Sequence, residues 1–347
     1  MQVTELLARS NRFCFLIFLI FISSISYPQR FPDIFVHNQL KNGIKKIVDQ
    51  KYDEAKSIFS QLDKARKDLP LGKIYLAATE IAESFDYEKP FNETIISRYL
   101  IESKKISERR LKENESDVWN NYFMALTEGY SAYFEALNNN WLSTFSKGLS
   151  SVSYFEECLY LNKNFYESLI AIGTFKYWRS RKTEFINWLP FIADEKEYGI
   201  ELLKMASELS AYNSHLAIHS LVWIYIEQKE FKLAIEIAEK ALKYSPNSRI
   251  FKWGLARAYE DINPAKSVKL YREILMSYPE NLKDNRVNEI TLKHLIAQQL
   301  IKLKIDDEAL KLCNEILAVN NFTDFERQKL DERIKRVKQL KSAIIKN

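Results

Sequence analysis

This 347-residue sequence is predicted to be an all-α protein: a right-handed α-α superhelix, or solenoid, of about seven helical hairpins with a C-terminal capping helix. Three observations carry that prediction. Chain breakers are scarce, with seven Gly and eight Pro, and no run of alternating β-branched residues suggests a strand. Apolar residues recur three and four apart over helix-length stretches. A 34-residue unit, Ser214 to Asn247, returns in altered form along the chain. Such self-similarity marks stacked hairpins, none of which can bury its apolar face alone.

In the Ser214–Asn247 unit, Leu216, Leu221, Val222 and Tyr225 lie on one side of a first helix. Phe231, Ala234, Ile235, Ala238, Ala241 and Leu242 do the same for a second. Pro246 ends that second helix, because its ring cannot continue the hydrogen-bond ladder. Through Leu221, Tyr225, Ala234, Ala241 and Pro246 the unit resembles the tetratricopeptide repeat family. Val222 stands where that family usually has Gly, and Ala238 where it prefers an aromatic. Further copies carry Trp253, Gly254, Ala258, Tyr271 and Ile274 before Pro279, then Ala297, Ala309, Cys313 and Leu317, and near the start Gly43, Ala55 and Phe59.

The chain divides into three regions. Residues 1–26 read as a secretory signal: Arg9 and Arg12, an apolar core Phe13 to Ile22, and a Ser24-Ile25-Ser26 exit. The apolar stretch is shorter than the ~20 residues of a membrane-spanning helix. Cleavage near Ser26 is the favoured reading, and an uncleaved anchor the alternative. The solenoid follows over 27–322. It opens with a hairpin at about 34–67, then helices from Leu71 to Phe85 and from Ile95 to Glu113. Val118 to Leu137 and Trp141 to Leu161 form an antiparallel pair around an Asn138–Asn140 turn, with Gly129 at a close crossing. Phe165 to Arg181 begins the next unit. Residues 183–195 replace a short turn with a longer connection bearing Trp188, Leu189, Pro190 and Phe191. It either folds back on the array or presents an apolar patch. From Tyr166 to Tyr259 the chain is also similar to the Iml2/tetratricopeptide repeat protein 39 family, with its Trp-Pro-Phe loop before a Gly-Ile-Leu helix. Residues 323–347 form a basic capping helix. It opens on a Thr323–Glu326 capping box and carries a Leu330, Ile334, Val337, Leu340, Ile344 stripe.

Charge and composition narrow the function. The net charge is +5, and residues 326–346 alone hold eight basic and three acidic side chains. The body of the array is close to neutral, which argues against nucleic-acid binding. The basic tail leaves peripheral contact with an anionic membrane surface open. Cys158 and Cys313 fall on apolar faces and read as buried thiols; Cys14 lies in the signal. Neither phosphate-binding glycine loops nor a nucleophile elbow exist, since no two glycines lie within 15 residues of each other. His215 and His219 share a helical face, but Leu216 occupies the place of the Glu that a zinc protease needs. No metal and no cofactor is expected.

The expectation is therefore an exported, non-catalytic scaffold, periplasmic or extracellular. The repeat resemblance implies a concave groove, lined by the first helix of each hairpin, that takes a protein or peptide partner. Tyr177, His219, Trp223, Phe251 and Lys252 are groove candidates by repeat position. Trp178 and Arg179 belong with them as part of an aromatic and cationic cluster with Arg181 and Lys182. That cluster is either an acidic-peptide site or a helix end whose dipole favours cations. Trp188 and Phe191 are the loop candidates. The alternatives are a membrane-associated adaptor that keeps its N-terminal segment, and a small-ligand protein or enzyme using 183–195 as a lid.

Overall fold

The computed structural model describes residues 29–183, 193–278 and 286–346. Among them are fifteen α-helices and no strand. They form seven consecutive hairpins and a cap. The hairpins are α1 (Ile34–Val48) with α2 (Tyr52–Ala65), α3 (Leu71–Asp86) with α4 (Glu93–Glu113), α5 (Val118–Leu137) with α6 (Trp141–Leu161), and α7 (Ser168–Lys182) with α8 (Lys196–Leu209). Next come α9 (Ser214–Glu227) with α10 (Phe231–Tyr244), α11 (Arg249–Tyr259) with α12 (Pro264–Met276), and α13 (Arg286–Lys302) with α14 (Asp306–Ala318). The last helix, α15 (Asp324–Lys346), packs on both α13 and α14.

Local sequence accounts for the boundaries. The Asp33 carboxylate accepts the Phe35 and Val36 amides at the start of α1, and Asp117 does the same for Trp119 and Asn120 at α5. Asn263 caps α12 with Pro264 at its first position, where the missing N–H is harmless. At α15 the Glu326 amide donates to Thr323 Oγ1 while Glu326 Oε2 accepts the Thr323 amide at 2.8 Å, a complete capping box. Four hairpins turn through one left-handed residue placed two before the second helix: Gln50, Asn139, Lys229 and Lys304. None is glycine, so each turn carries a steric cost of roughly 1–2 kcal/mol. A shared conformation at one position in four hairpins is the backbone signature of a repeat. These are antiparallel helical hairpins stacked as an α-solenoid.

A close crossing lies between α7 and α8. A methyl group added at Gly199 would stand 2.7 Å from the Gly173 carbonyl oxygen, and one at Gly173 would stand 2.8 Å from that of Gly199. Only two glycines let these backbones touch. The predicted crossing at Gly129 is likewise filled by Ser151, whose hydroxyl donates to the Ala125 carbonyl at 2.8 Å.

The superhelix closes on itself. Residues nearly 200 apart in sequence meet across its inner face, in contacts that no hairpin period records. His37 Nδ1 lies 2.7 Å from the Tyr212 hydroxyl, which also accepts the Phe31 amide at 2.8 Å. The Arg249 amide donates to Gln50 Oε1 at 3.0 Å. Arg249 forms a buried ion pair with Asp86, and its guanidinium stands 4.5 Å from the centre of the Tyr278 ring and 5.5 Å from that of Tyr87. The Asp86 carbonyl accepts from Tyr278 and from Asn288. Lys329 of the cap pairs with Glu88 in the α3–α4 connection.

Candidate partner-binding surface

The inner face of α7, α9 and α11 is where the repeat resemblance places a groove. Two pairings fix how α7 and α9 run beside each other. Thr174 Oγ1 lies 3.2 Å from Ser220 Oγ, and Arg181 pairs with Glu227, seven residues further along both helices. The helices are therefore parallel, and on that register Trp178 stands level with Ile224, one residue past Trp223.

Two of the predicted groove residues are not surface at all. Tyr177 is fully buried, edge-on to Trp178, with its hydroxyl donating to Glu227 at 2.6 Å. Phe251 is buried with Val48 of α1 and Ala241, against Ile218, Leu242 and Ile250. The expected open groove is thus filled at α11 by the chain's own first hairpin. The end of α1 sits where a bound segment was expected, and Lys45 extends the contact to Ser245 at 3.2 Å.

The other candidates are accessible to varying degrees. Lys252 is partly covered and pairs with Glu273. Arg179 is exposed, pairs with Glu195 and stacks over Phe175. Glu195 also takes Lys176, and the two cations hold its carboxyl below the usual range. The Arg179–Arg181 cluster is therefore neutralised from within, by Glu195 and Glu227, which suits a helix end better than a site for an acidic peptide. His219 and Trp223 form a unit: the indole N–H donates to His219 Nε2 at 2.9 Å. Burial pushes both His215 and His219 down to about 4, so each is neutral at physiological pH. Both residues of that unit remain part-exposed, beside Leu216, on the side of α9 facing away from its buried stripe of Ala217, Leu221 and Tyr225. Trp188 and Phe191 lie outside the described residues. Among those described, no three His, Cys, Asp or Glu side chains are grouped to hold a metal ion.

Sequence periodicity did not expose the polar centre of the molecule. Glu167, just before α7, is buried and accepts the Tyr212 amide at 2.7 Å, the Asn213 side-chain amide at 2.9 Å and the Tyr122 hydroxyl at 3.4 Å. The Asn213 amide also reaches Tyr75 and Tyr122 at 3.1 Å each. Burial raises the Glu167 carboxyl, and the donors around it oppose that shift. This network ties α3, α5, α7 and α9 at one level. Its residues are far apart in the chain, so no spacing signal announces it.

No family model matches the chain. Over 84 residues it is 34% identical to the uncharacterized protein ycf37 of Cyanophora paradoxa, covering 23% of this chain and 49% of that protein. The chain thus spans about half the length of the curated relative it matches. Among solved structures it is similar to the TPR domain of P58(IPK), at 13% identity and a TM-score of 0.22, over 88% of this chain and 98% of that one. The fold assignment rests on the stacked hairpins themselves rather than on that overlap.

Proposed function

We propose that the protein is an exported, non-catalytic interaction scaffold that binds a protein or peptide partner on the inner face of α7 and α9. The observation that carries this reading is the part-exposed Leu216, His219 and Trp223 strip of α9, with part-exposed Trp178 of α7 within one residue of the level of Trp223. Trp and its neighbours supply contact area, and hot spots at interfaces are enriched in Trp. The Trp223 indole N–H is already satisfied by His219, so covering that indole strands no donor on it. Arg179 and Lys252 have acidic neighbours of their own, so an apolar partner segment suits the strip better than an acidic one.

Affinity capture with the intact mature protein, repeated with Trp178→Ala and Trp223→Ala, tests the surface. Recovery of the same partner at the same yield by both variants would count against it. Export has its own measurement. Mass spectrometry of the mature chain is expected to find an N-terminus near Tyr27. An intact Met1 would instead support the membrane-associated adaptor, with the basic exposed side of α15, including Arg336 and Lys338, turned to lipid.

A further inference from the structure

Among the described residues, the outer face of α6 is left uncovered. Trp141, Leu142, Phe145 and Leu149 are 66%, 85%, 66% and 42% exposed. Trp141, Phe145 and Leu149 are four apart and so stack in one line, with Leu142 beside them. The opposite side of the helix, with Ser151, Phe155 and Cys158, is buried, Ser151 and Cys158 bonding to α5. Scattered apolar side chains are normal on a surface, whereas a contiguous stripe on one helix face marks a contact. Helices α5 and α6 have 20 and 21 residues, whereas α7 and α8 have 15 and 14, so the start of α6 extends past the end of α7. A methyl group at Gly148 would meet nothing within 4 Å.

We infer that this face is the contact between two copies of the chain, paired antiparallel through α6 about a two-fold axis. Charge decides between occupants. From Trp141 to Phe155 the only charged residue is Lys147, which points back to Glu135 of α5 at 2.6 Å. A two-fold contact sets a surface against itself, so any charge on it would meet its own copy. The stretch from Trp141 to Phe155 offers none, and the first charge beyond it is Glu156. An axis level with Lys147 places Phe145 against Leu149 of the second copy and Trp141 against its Ser153, a large side chain over a small one. It also sets Glu156 beside the Asn138 turn, amide against carboxylate. A membrane suits the face less well. The tip of the hairpin is Asn138-Asn139-Asn140, and Lys147 is not free for headgroups.

The test uses the full chain, purified in nonionic detergent, with its mass taken by multi-angle light scattering. The expected mass of the protein component is about twice the 40.9 kDa of one chain. Leu142→Glu with Phe145→Glu buries four carboxylates in the apolar contact, the two at position 145 close to each other across the axis, and is expected to halve that mass with an unchanged helical melt. A single-chain mass for the unmodified protein, or a dimer that survives both glutamates, would overturn the inference. So would a single chain that floats with anionic vesicles and loses flotation in the glutamate variant, which would give the face to lipid. Register is read separately by disulfide trapping in a Cys14→Ser background, where Cys158 and Cys313 stay buried. Copies bearing Phe145→Cys are expected to cross-link to copies bearing Leu149→Cys and not to copies bearing Tyr160→Cys. Equal cross-linking of both would remove the proposed pairing even if the glutamate variant failed to fold.

Discussion

His294 on α13 is nearly inaccessible, and its Nδ1 lies 3.2 Å from an Arg333 nitrogen. A guanidinium can only donate, so Nδ1 accepts and the imidazole is neutral. Burial, then Arg333 and Arg336, push its pKa down to about 4, against 6.5 in an unfolded chain. The unfolded state therefore binds the extra proton first as pH falls. Stability from this residue is complete above pH 6.5 and is lost between pH 6.5 and 4, by about 3 kcal/mol over that window. Urea midpoints at pH 7 and pH 4.5 should differ, and His294→Gln should narrow the difference, because Gln still accepts from Arg333 and does not titrate. An equally steep pH dependence in the Gln variant would show that other groups carry it. His294 was visible in the sequence only as one of four histidines, since its partner Arg333 is 39 positions away. Tyr177 and Phe251 mark the same limit. Their repeat positions read as groove positions and both are buried, because periodicity names a face and not what covers it. Trp223 and His219, four apart on one helix, were legible together because their contact is local.

At the level of the helix, legibility followed the range of the interaction. The α5–α6 pair lies where the apolar pattern and the Asn138–Asn140 turn put it, from Val118 to Leu137 and from Trp141 to Leu161. The Thr323–Glu326 box, the Leu330–Val337 stripe of the cap and the crossing at Gly129 were likewise local signals. Gly199 was harder, since a glycine inside a helix reads first as a weakness. Two substitutions separate the crossing from helix propensity. Gly148→Ala adds a methyl into open space, and loss of backbone freedom in the unfolded chain should stabilise by about 0.4–1 kcal/mol. Gly199→Ala brings the same gain but drives its methyl against the Gly173 carbonyl and the Tyr177 amide, both backbone and unable to swing aside. Overpacking of about 1–3 kcal/mol outweighs the gain. Melting temperatures should therefore move in opposite directions, and a rise for both would mean that α7 and α8 are not pinned at this point.

Across the whole molecule, closure distinguishes this array from an open one. In an open solenoid each repeat touches only its neighbours, so stability adds up locally and unfolding can propagate from either end. Here Asp86 and Arg249, 163 positions apart, are buried together. The pair links the end of α3 to the start of α11, and the Asp86 carbonyl continues the link to Tyr278 and to Asn288 on α13. The two large apolar cores meet at about this place, one running from α1 into α11 and the other from α11 to α15. Contacts across the bore should make those cores unfold together. Arg249→Met leaves the Asp86 carboxylate buried without its cation, which costs about 3–5 kcal/mol. Adding Asp86→Asn removes the stranded charge and should recover part of that loss. The larger consequence is for cooperativity. The unmodified chain should unfold in urea in one transition, seen alike by helical signal and by tryptophan fluorescence. The double variant has no ionic bolt, so Trp253 in the second core and Trp119 in the first should report separate midpoints. Coincident midpoints in that variant would mean that the apolar contacts of Val48 with Phe251 hold the ring closed without the ion pair, and Val48→Asp would then be the substitution that opens it.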